Sequence, residues 1–191
     1  MLQQAKAGDA QAMFCLALTL RDDEAADWLR QAASKGHAPA QNNLGVMLAK
    51  GRADAPNDFW TRIKGKFSKS QPEEMGGAGE AVHWYRQAAE RGDAHGQCNY
   101  GWRLSIGNGV SQDVDESVKW YRLAADQDHA LALNNLGVMY ARGESVGRDE
   151  KEAVKYFQKA ADMAERLGRY NVGVMCLHGR GVKKNPAAAA K

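Results

Sequence analysis

The sequence predicts an all-α fold, a solenoid of stacked helix pairs, and three observations carry that reading. The same residues recur every 36 positions; small and apolar side chains within each period fall at helical spacing; glycine-rich turns separate the helical stretches. The composition agrees. The chain has 191 residues, 44% of them hydrophobic and 26% charged, with only four prolines, which suits a folded, helix-leaning protein and excludes wholesale disorder.

The period is read from several markers at once. Asn99-Tyr100-Gly101, Asn135-Leu136-Gly137 and Asn171-Val172-Gly173 place a glycine every 36 residues. Trp120-Tyr121 and Tyr156-Phe157 keep the same step, as do Ala124-Ala125 and Ala160-Ala161. Asn43-Leu44-Gly45 and Trp84-Tyr85 form an earlier unit whose halves are separated, because Gly45 and Gly101 lie 56 residues apart. A still earlier, shortened unit has Ala17 at the glycine position and Trp28-Leu29 at the aromatic one, and Ala32-Ala33 and Ala88-Ala89 complete the series. The predicted organisation is one repeat domain over 1–191. Its units span about 1–37, 38–93 with an insertion at 52–77, 94–129, 130–165 and a partial 166–191.

Each unit reads as two helices. In the first, Ala132, Leu136, Gly137 and Tyr140 share one face. A glycine within a helix costs about 1 kcal/mol relative to alanine, so its recurrence at Gly45, Gly101, Gly137 and Gly173 predicts close approach of a partner helix. The turn Gly107-Asn108-Gly109-Val110 returns as Gly143-Glu144-Ser145-Val146 and Gly179-Arg180-Gly181-Val182, and glycine there suits a left-handed helix stop. The second helix starts at Asp113 with Glu116, or Asp149 with Glu152, a capping-box arrangement. Its buried face is expected to be Ala153, Tyr156, Phe157, Ala160 and Ala161. A single pair cannot bury such a face alone, so the units must stack.

Units of about 36 residues that read A-x-x-x-L-G-x-x-Y, then G-x-G-V, then A-x-x-W-Y-x-x-A-A resemble Sel-1-like repeats, relatives of the tetratricopeptide repeat (TPR). Residues 132–140 match the first element fully, and residues 117–125 match the last with serine for alanine. The resemblance implies a right-handed α-α superhelix (solenoid) of Sel-1-like, TPR-like helix-pair repeats, serving as a scaffold or adaptor for protein complexes. The shortened first unit and the interrupted second depart from the pattern. Residues 6–10 resemble the tail of a preceding second helix and 186–191 stop where another would begin, which predicts a segment of a longer array.

In TPR-like stacks the first helices line the concave face. The resemblance therefore directs Asn42, Asn43, Val46 and Lys50, then Cys98, Asn99 and Trp102, then Leu131, Asn134, Asn135, Val138 and Arg142, then Tyr170, Asn171, Val174 and His178 into a groove. Of these, Asn42, Asn43, Asn99, Trp102, Asn134, Asn135, Tyr170 and Asn171 are the expected partner-binding residues. An asparagine two positions before the glycine recurs at Asn43, Asn99, Asn135 and Asn171. Its amide donates and accepts, which suits either the backbone of a bound peptide or a bond to the neighbouring repeat. Trp102 stands where Val138 and Val174 stand in later units, which suits either a binding hot spot, where exposed indoles are frequent, or packing against the insertion.

The insertion combines aromatics with basic residues. Phe59, Ile63 and Phe67 are four apart, with Trp60 beside them, giving either a helix for a partner or membrane surface or a loop helix folded back over the solenoid. Membrane contact is expected only there, because no apolar run approaches the roughly 20 residues of a span.

Little else carries chemistry. A formal net charge of +3 does not imply nucleic acid. No zinc-protease, phosphate-loop or nucleophile-elbow motif occurs, so no catalytic residue, metal or cofactor is expected. His37 and His129 occupy equivalent inter-repeat turns and read as structural. Cys15, Cys98 and Cys176 form no C-x-x-C pair, and one per unit cannot staple each helix pair as in the cysteine-rich relatives linked to β-lactam binding. The cysteines and the absence of a signal-peptide pattern favour a cytoplasmic setting, with a periplasmic one left open. The expected function is capture of a peptide or partner protein along the concave groove. The alternatives are a structural module inside a larger protein and a β-lactam-binding or hydrolase-like protein.

Overall fold

The computed structural model describes residues 1–50 and 77–186. Among them the regular structure is helical: α1 Leu2–Lys6, α2 Ala10–Ala17, α3 Asp22–Ser34, α4 Ala38–Ala49, α5 Gly77–Glu90, α6 Ala94–Ile106, α7 Val114–Ala125, α8 Ala130–Arg142, α9 Glu150–Asp162 and α10 Arg166–His178. The helices belong to two compact units. Unit 1 is Met1–Gly96 with Gly107–Ser111, and unit 2 is Gln97–Ile106 with Gln112–Lys191.

The even-numbered helices from α2 onward are the first helices of their repeats, and α3, α5, α7 and α9 are the second. Two recurring turns set this alternation. The turn that leads into a first helix carries a left-handed residue, then a capping residue. These are Gly8-Asp9, Gly36-His37, Gly92-Asp93, Asp128-His129 and Ala164-Glu165. The cap's own N–H bonds back to the first alanine of the Ala-Ala pair: His37 to Ala32, Asp93 to Ala88, His129 to Ala124 and Glu165 to Ala160, at 3.0–3.1 Å. The first alanine also lies close to the next helix, for a Cβ at Gly96 would stand 2.5 Å from Ala88 Cβ and one at Gly168 2.8 Å from Ala160 Cβ.

The histidines at two of these caps are structural, as expected from their position. His37 Nδ1 accepts from the Ala40 N–H at 3.2 Å, and His129 Nδ1 accepts from Ala132 at 3.3 Å. Asp9, Asp93 and Glu165 play the same part in the other first helices.

The turns into α7 and α9 keep the expected aspartate cap but not the reciprocal glutamate bond of a capping box, and Arg21 at the start of α3 makes no side-chain cap bond. Gly143 and Gly179 end α8 and α10 with φ of 77° and 69°. Asp113 and Asp149 cap α7 and α9 by accepting from Glu116, and from Lys151 and Glu152. The Glu116 and Glu152 carboxylates turn to Lys119 and Lys155, one turn further on. A backbone bond ties each cap position to the preceding first helix: Asp113 to Leu104, Asp149 to Tyr140 and Asn185 to Cys176, at 2.8–3.0 Å.

The helical glycines mark close crossings. A Cβ at Gly45 would stand 2.8 Å from the Tyr85 ring, one at Gly101 3.1 Å from Tyr121, and one at Gly137 2.6 Å from Phe157. Each ring is the second aromatic of the Trp-Tyr pair, so the two motifs read in the sequence are the two sides of one contact. In unit 2 this contact joins a core of Cys98, Val118, Tyr121, Leu133, Leu136 and Met139, and a second cluster of Ala153, Phe157 and Met175. Burying each of the larger side chains contributes about 1.5–3 kcal/mol.

Helix α8 buries more of its circumference than one apolar stripe. It packs on α7, α9 and α10, so Leu133, Asn134 and Met139 are buried together with Ala132, Leu136 and Gly137. The expected α9 face divides: Ala153, Phe157 and Ala160 are buried, while Tyr156 and Ala161 are only half-buried.

Candidate protein-binding face

Numbering each first helix from its packed glycine sorts the expected groove residues into two sets. Positions −6, −2, +1 and +5 lie along one line of the helix at 100° per residue. In unit 2 that line reads Asn99, Trp102 and Ile106 in α6; Leu131, Asn135, Val138 and Arg142 in α8; Leu167, Asn171, Val174 and His178 in α10. All are exposed or half-buried. In unit 1 the same line of α4 reads Pro39, Asn43, Val46 and Lys50.

Position −3 is different. Asn42 is 7% exposed and Asn134 3%, so neither lies on the open line expected from the sequence. The cause at Asn134 is the third neighbour of α8, for helix α10 covers it and Asn171 Nδ2 donates to Asn134 Oδ1 at 2.8 Å. Asn42 Nδ2 donates to Asn43 Oδ1 at 3.3 Å. Cys98, at the same register, is buried as well, and burial pushes its thiol up to about 12. Tyr170 holds this register in α10 and is 68% exposed.

The asparagine ladder at −2 therefore bonds between repeats within unit 2. Asn171 bonds Asn134, and Asn135 lies in hydrogen-bonding reach of the Tyr121 hydroxyl, which Ser105 also approaches. Each bond uses part of an amide that has two donors and an acceptor, so the ladder is held in place with hydrogen-bonding capacity to spare.

Trp102 is the large aromatic of the α6 line. It is 45% exposed, and the Arg103 guanidinium carbon stands 4.8 Å from the indole centroid, a cation–π contact that braces the ring. Arg103 itself is buried, in the register that holds methionine in α4, α8 and α10 (Met47, Met139, Met175). Ile106 and Leu167 belong to the line too. Their equivalents Arg142 and Leu131 were read from the sequence, and extending the count from the glycine to every helix finds them. A shallow depression beside Tyr170 is lined by Glu165, Arg166 and Leu167. Phe59, Trp60, Ile63 and Phe67 of the insertion lie outside the described residues.

Among the described residues, no cluster of three or more His, Cys, Asp or Glu side chains could hold a metal ion, and no helix is long and apolar enough to cross a membrane.

These features define a class: an all-α repeat protein whose first and second helices follow one packing rule from unit to unit. The family is then plain, because the Sel1 repeat model matches residues 22–37, 38–59, 78–93, 94–129, 130–164 and 167–191. The chain belongs to the Sel1 repeat family, with its all-α solenoid fold. Among solved structures it is similar to a Sel1 repeat protein from Oxalobacter formigenes, at 27% identity and a TM-score of 0.73, over 95% of this chain and 66% of that one. It is similar also to a protective antigen of uropathogenic Escherichia coli displaying an SLR fold, at 28% identity and a TM-score of 0.57, over 98% of this chain and 45% of that one. A Sel1 repeat protein from Klebsiella pneumoniae shares the fold at 23% identity and a TM-score of 0.59, over 98% of this chain and 85% of that one. The chain thus spans less than two thirds of the first two. No curated protein sequence matches it at a significant level. Sel1 repeat proteins generally serve as protein-interaction scaffolds, and the fold is typically non-enzymatic.

Proposed function

We propose that this chain captures a peptide or partner protein along the open line of its first helices, the face expected to form the groove of the repeat. The observation that carries the reading is Trp102. Packing explains a small or apolar side chain at position +1, as in Val46, Val138 and Val174. Packing among the described residues does not explain a large aromatic left 45% exposed and braced by Arg103. A half-exposed indole on a rigid helix offers a large contact area at low entropic cost, the property of a binding anchor. The half-buried asparagines Asn99, Asn135 and Asn171 supply amides along the same line.

Replacing Asn99 and Trp102 together by alanine tests this. Proteins retained from a cell extract by the immobilised chain are lost by the double variant, while its far-UV circular dichroism stays unchanged. Retention of the same proteins by a folded variant refutes the reading.

A further inference from the structure

We propose that the open line of unit 2 takes an extended acidic segment of its partner; this rests on the first-helix reading above. The observation is a segregation of charge. Helices α6, α8 and α10 contain no aspartate or glutamate, and their open line carries Arg142 and His178 at position +5.

Helix electrostatics alone would give another pattern. Acids are favoured in the first turn of a helix, where the peptide dipoles present positive charge. The second helices of unit 2 follow that rule, with Asp115 and Glu116 in α7 and Glu150 and Glu152 in α9. The first helices have no acid in the first turn, although Asp93 and Glu165 cap α6 and α10 just before it. The dipole does account for a basic side chain at a helix C-terminus, so Arg142 and His178 alone prove nothing. Keeping carboxylates off three whole helices is what the dipole leaves unexplained. A negatively charged ligand explains it, since a carboxylate on that line would repel the ligand over its length. In unit 1, α4 is also free of acids and is followed by Lys50.

Of the carboxylates elsewhere in unit 2, Asp113, Asp149 and Glu165 are helix caps, and four more are held in ion pairs. Glu116 pairs with Lys119, Glu152 with Lys155, Asp128 with Lys159, and Glu150 with both Arg148 and Arg180. Glu144 is the acid that reaches an open-line cation, and it does so weakly. Its contact with Arg142 is 3.5 Å long between two exposed side chains, so a ligand carboxylate displaces it readily. The acidic segment is thus expected to lie with an apolar side chain against Trp102 and its carboxylates towards Arg142 and His178.

The test is selection from a random dodecapeptide phage library on the full chain, with the Asn99→Ala/Trp102→Ala and Arg142→Glu/His178→Glu variants as parallel baits. Peptides enriched on the unmodified chain are expected to be net negative. Their fluorescein-labelled versions bind about tenfold more weakly when Asp and Glu become Asn and Gln, and weaken as salt is raised. The charge-reversed bait shifts the selected peptides towards net positive. Enrichment of neutral or basic peptides on the unmodified chain overturns the acidic preference while leaving the binding face intact. Peptides recovered equally by the Asn99→Ala/Trp102→Ala bait, or no enrichment above it, overturn the binding face itself.

Discussion

Gly137→Ala is the sharpest test of the packing argument, because two effects of opposite sign meet at one atom. Alanine gains about 1 kcal/mol of helix propensity over glycine. The added Cβ, however, would stand 2.6 Å from both Phe157 Cδ1 and Cε1, and 3.1 Å from the Ala153 carbonyl oxygen. Carbon atoms rest at about 3.5–4.0 Å, so α8 and α9 must separate by roughly 1 Å or the ring must turn. Phe157 is 2% exposed and held in its cluster by Ala153 and Met175, so neither motion is cheap. Overpacking of this kind costs about 1–3 kcal/mol, and the depth of the overlap puts Gly137 at the upper end. The net loss is about 2 kcal/mol.

The same arithmetic ranks the other two sites. At Gly45 the nearest Tyr85 atoms are at 2.8 and 2.9 Å, and at Gly101 the Tyr121 ring is at 3.1 Å. Gly45→Ala is therefore intermediate, and Gly101→Ala comes close to cancelling. For a chain of this length a kcal/mol moves Tm by roughly 2–4 °C, so Gly137→Ala should lower it by about 4–8 °C and Gly101→Ala by less than about 2 °C. Thermal unfolding followed by circular dichroism reads both, and Phe157→Leu in the Gly137→Ala background should recover part of the loss. Equal stabilisation of all three alanine variants would refute the close-approach reading, because propensity alone predicts it.

Three further outcomes follow from the caps and the ladder. Ala164 adopts φ +63° and Ser145 φ +56°, where glycine stands in the equivalent turns. Left-handed backbone costs an L residue about 1–2 kcal/mol and glycine's extra unfolded entropy about 0.4–1, so Ala164→Gly and Ser145→Gly should each stabilise by up to about 1.5 kcal/mol, read as a higher Tm. His37 is neutral in its working form: Nδ1 accepts from Ala40, and Nε2 faces Gln11 Oε1 at 2.8 Å. Burial lowers its pKa, against the opposing pull of Asp93 and Asp9, so its stabilisation is complete above the ordinary value of about 6.5 and is lost as pH falls from there through the folded-state pKa. The urea midpoint should drop between about pH 7.5 and pH 5, and His37→Asp should reduce that drop; an unchanged pH profile argues against the cap. Asn171→Leu should cost about 1–3 kcal/mol by leaving the buried Asn134 amide short of a partner, and the Asn134→Leu/Asn171→Leu pair should cost less than the single changes summed. Additive losses in urea unfolding would show that the ladder bond carries no stability.

Much of the fold was legible because packing repeats. The glycine, the second aromatic and the Ala-Ala pair are one contact and one turn seen from different helices, so their common period announced the architecture before any coordinate. The open line was legible in part. Counting along the helix puts Asn42 and Asn134 on the same side as Asn99, Asn135 and Trp102, and the resemblance turns that whole side into the groove. Helical spacing cannot tell the buried position −3 from the open line. Position −3 lies within 100° of position −2, and whether it faces solvent depends on the next first helix. The α10 contact that covers Asn134 joins residues 37 apart, and periodicity within one helix carries no trace of it. The left-handed turn at Ala164 is hidden, since alanine does not signal positive φ as Gly36 and Gly92 do, and aspartate at Asp128 signals it only weakly.

The regularity of the stack is itself what directs attention to the irregular positions. Register 0 must admit an aromatic ring, register −3 faces the neighbouring first helix in α8, and the first alanine of the Ala-Ala pair must admit the next helix. Side chains there answer to packing, and a partner has little influence on them. Positions +1 and +5 of the first helices are under no such constraint, so their identities are free to serve a ligand. Within unit 2, position +1 changes from Trp102 to Val138 and Val174, and position +5 from Ile106 to Arg142 and His178. The line therefore runs from an aromatic and apolar end in α6 towards a polar end in α8 and α10, where Arg142 carries the charge. A ligand that reads this gradient must be oriented, with its apolar residue at one end and its acidic residues at the other. Reversing the order of residues in a selected peptide should then cost affinity although composition and charge are unchanged. Equal binding of the two orders would mean that charge attracts the partner without fixing its direction.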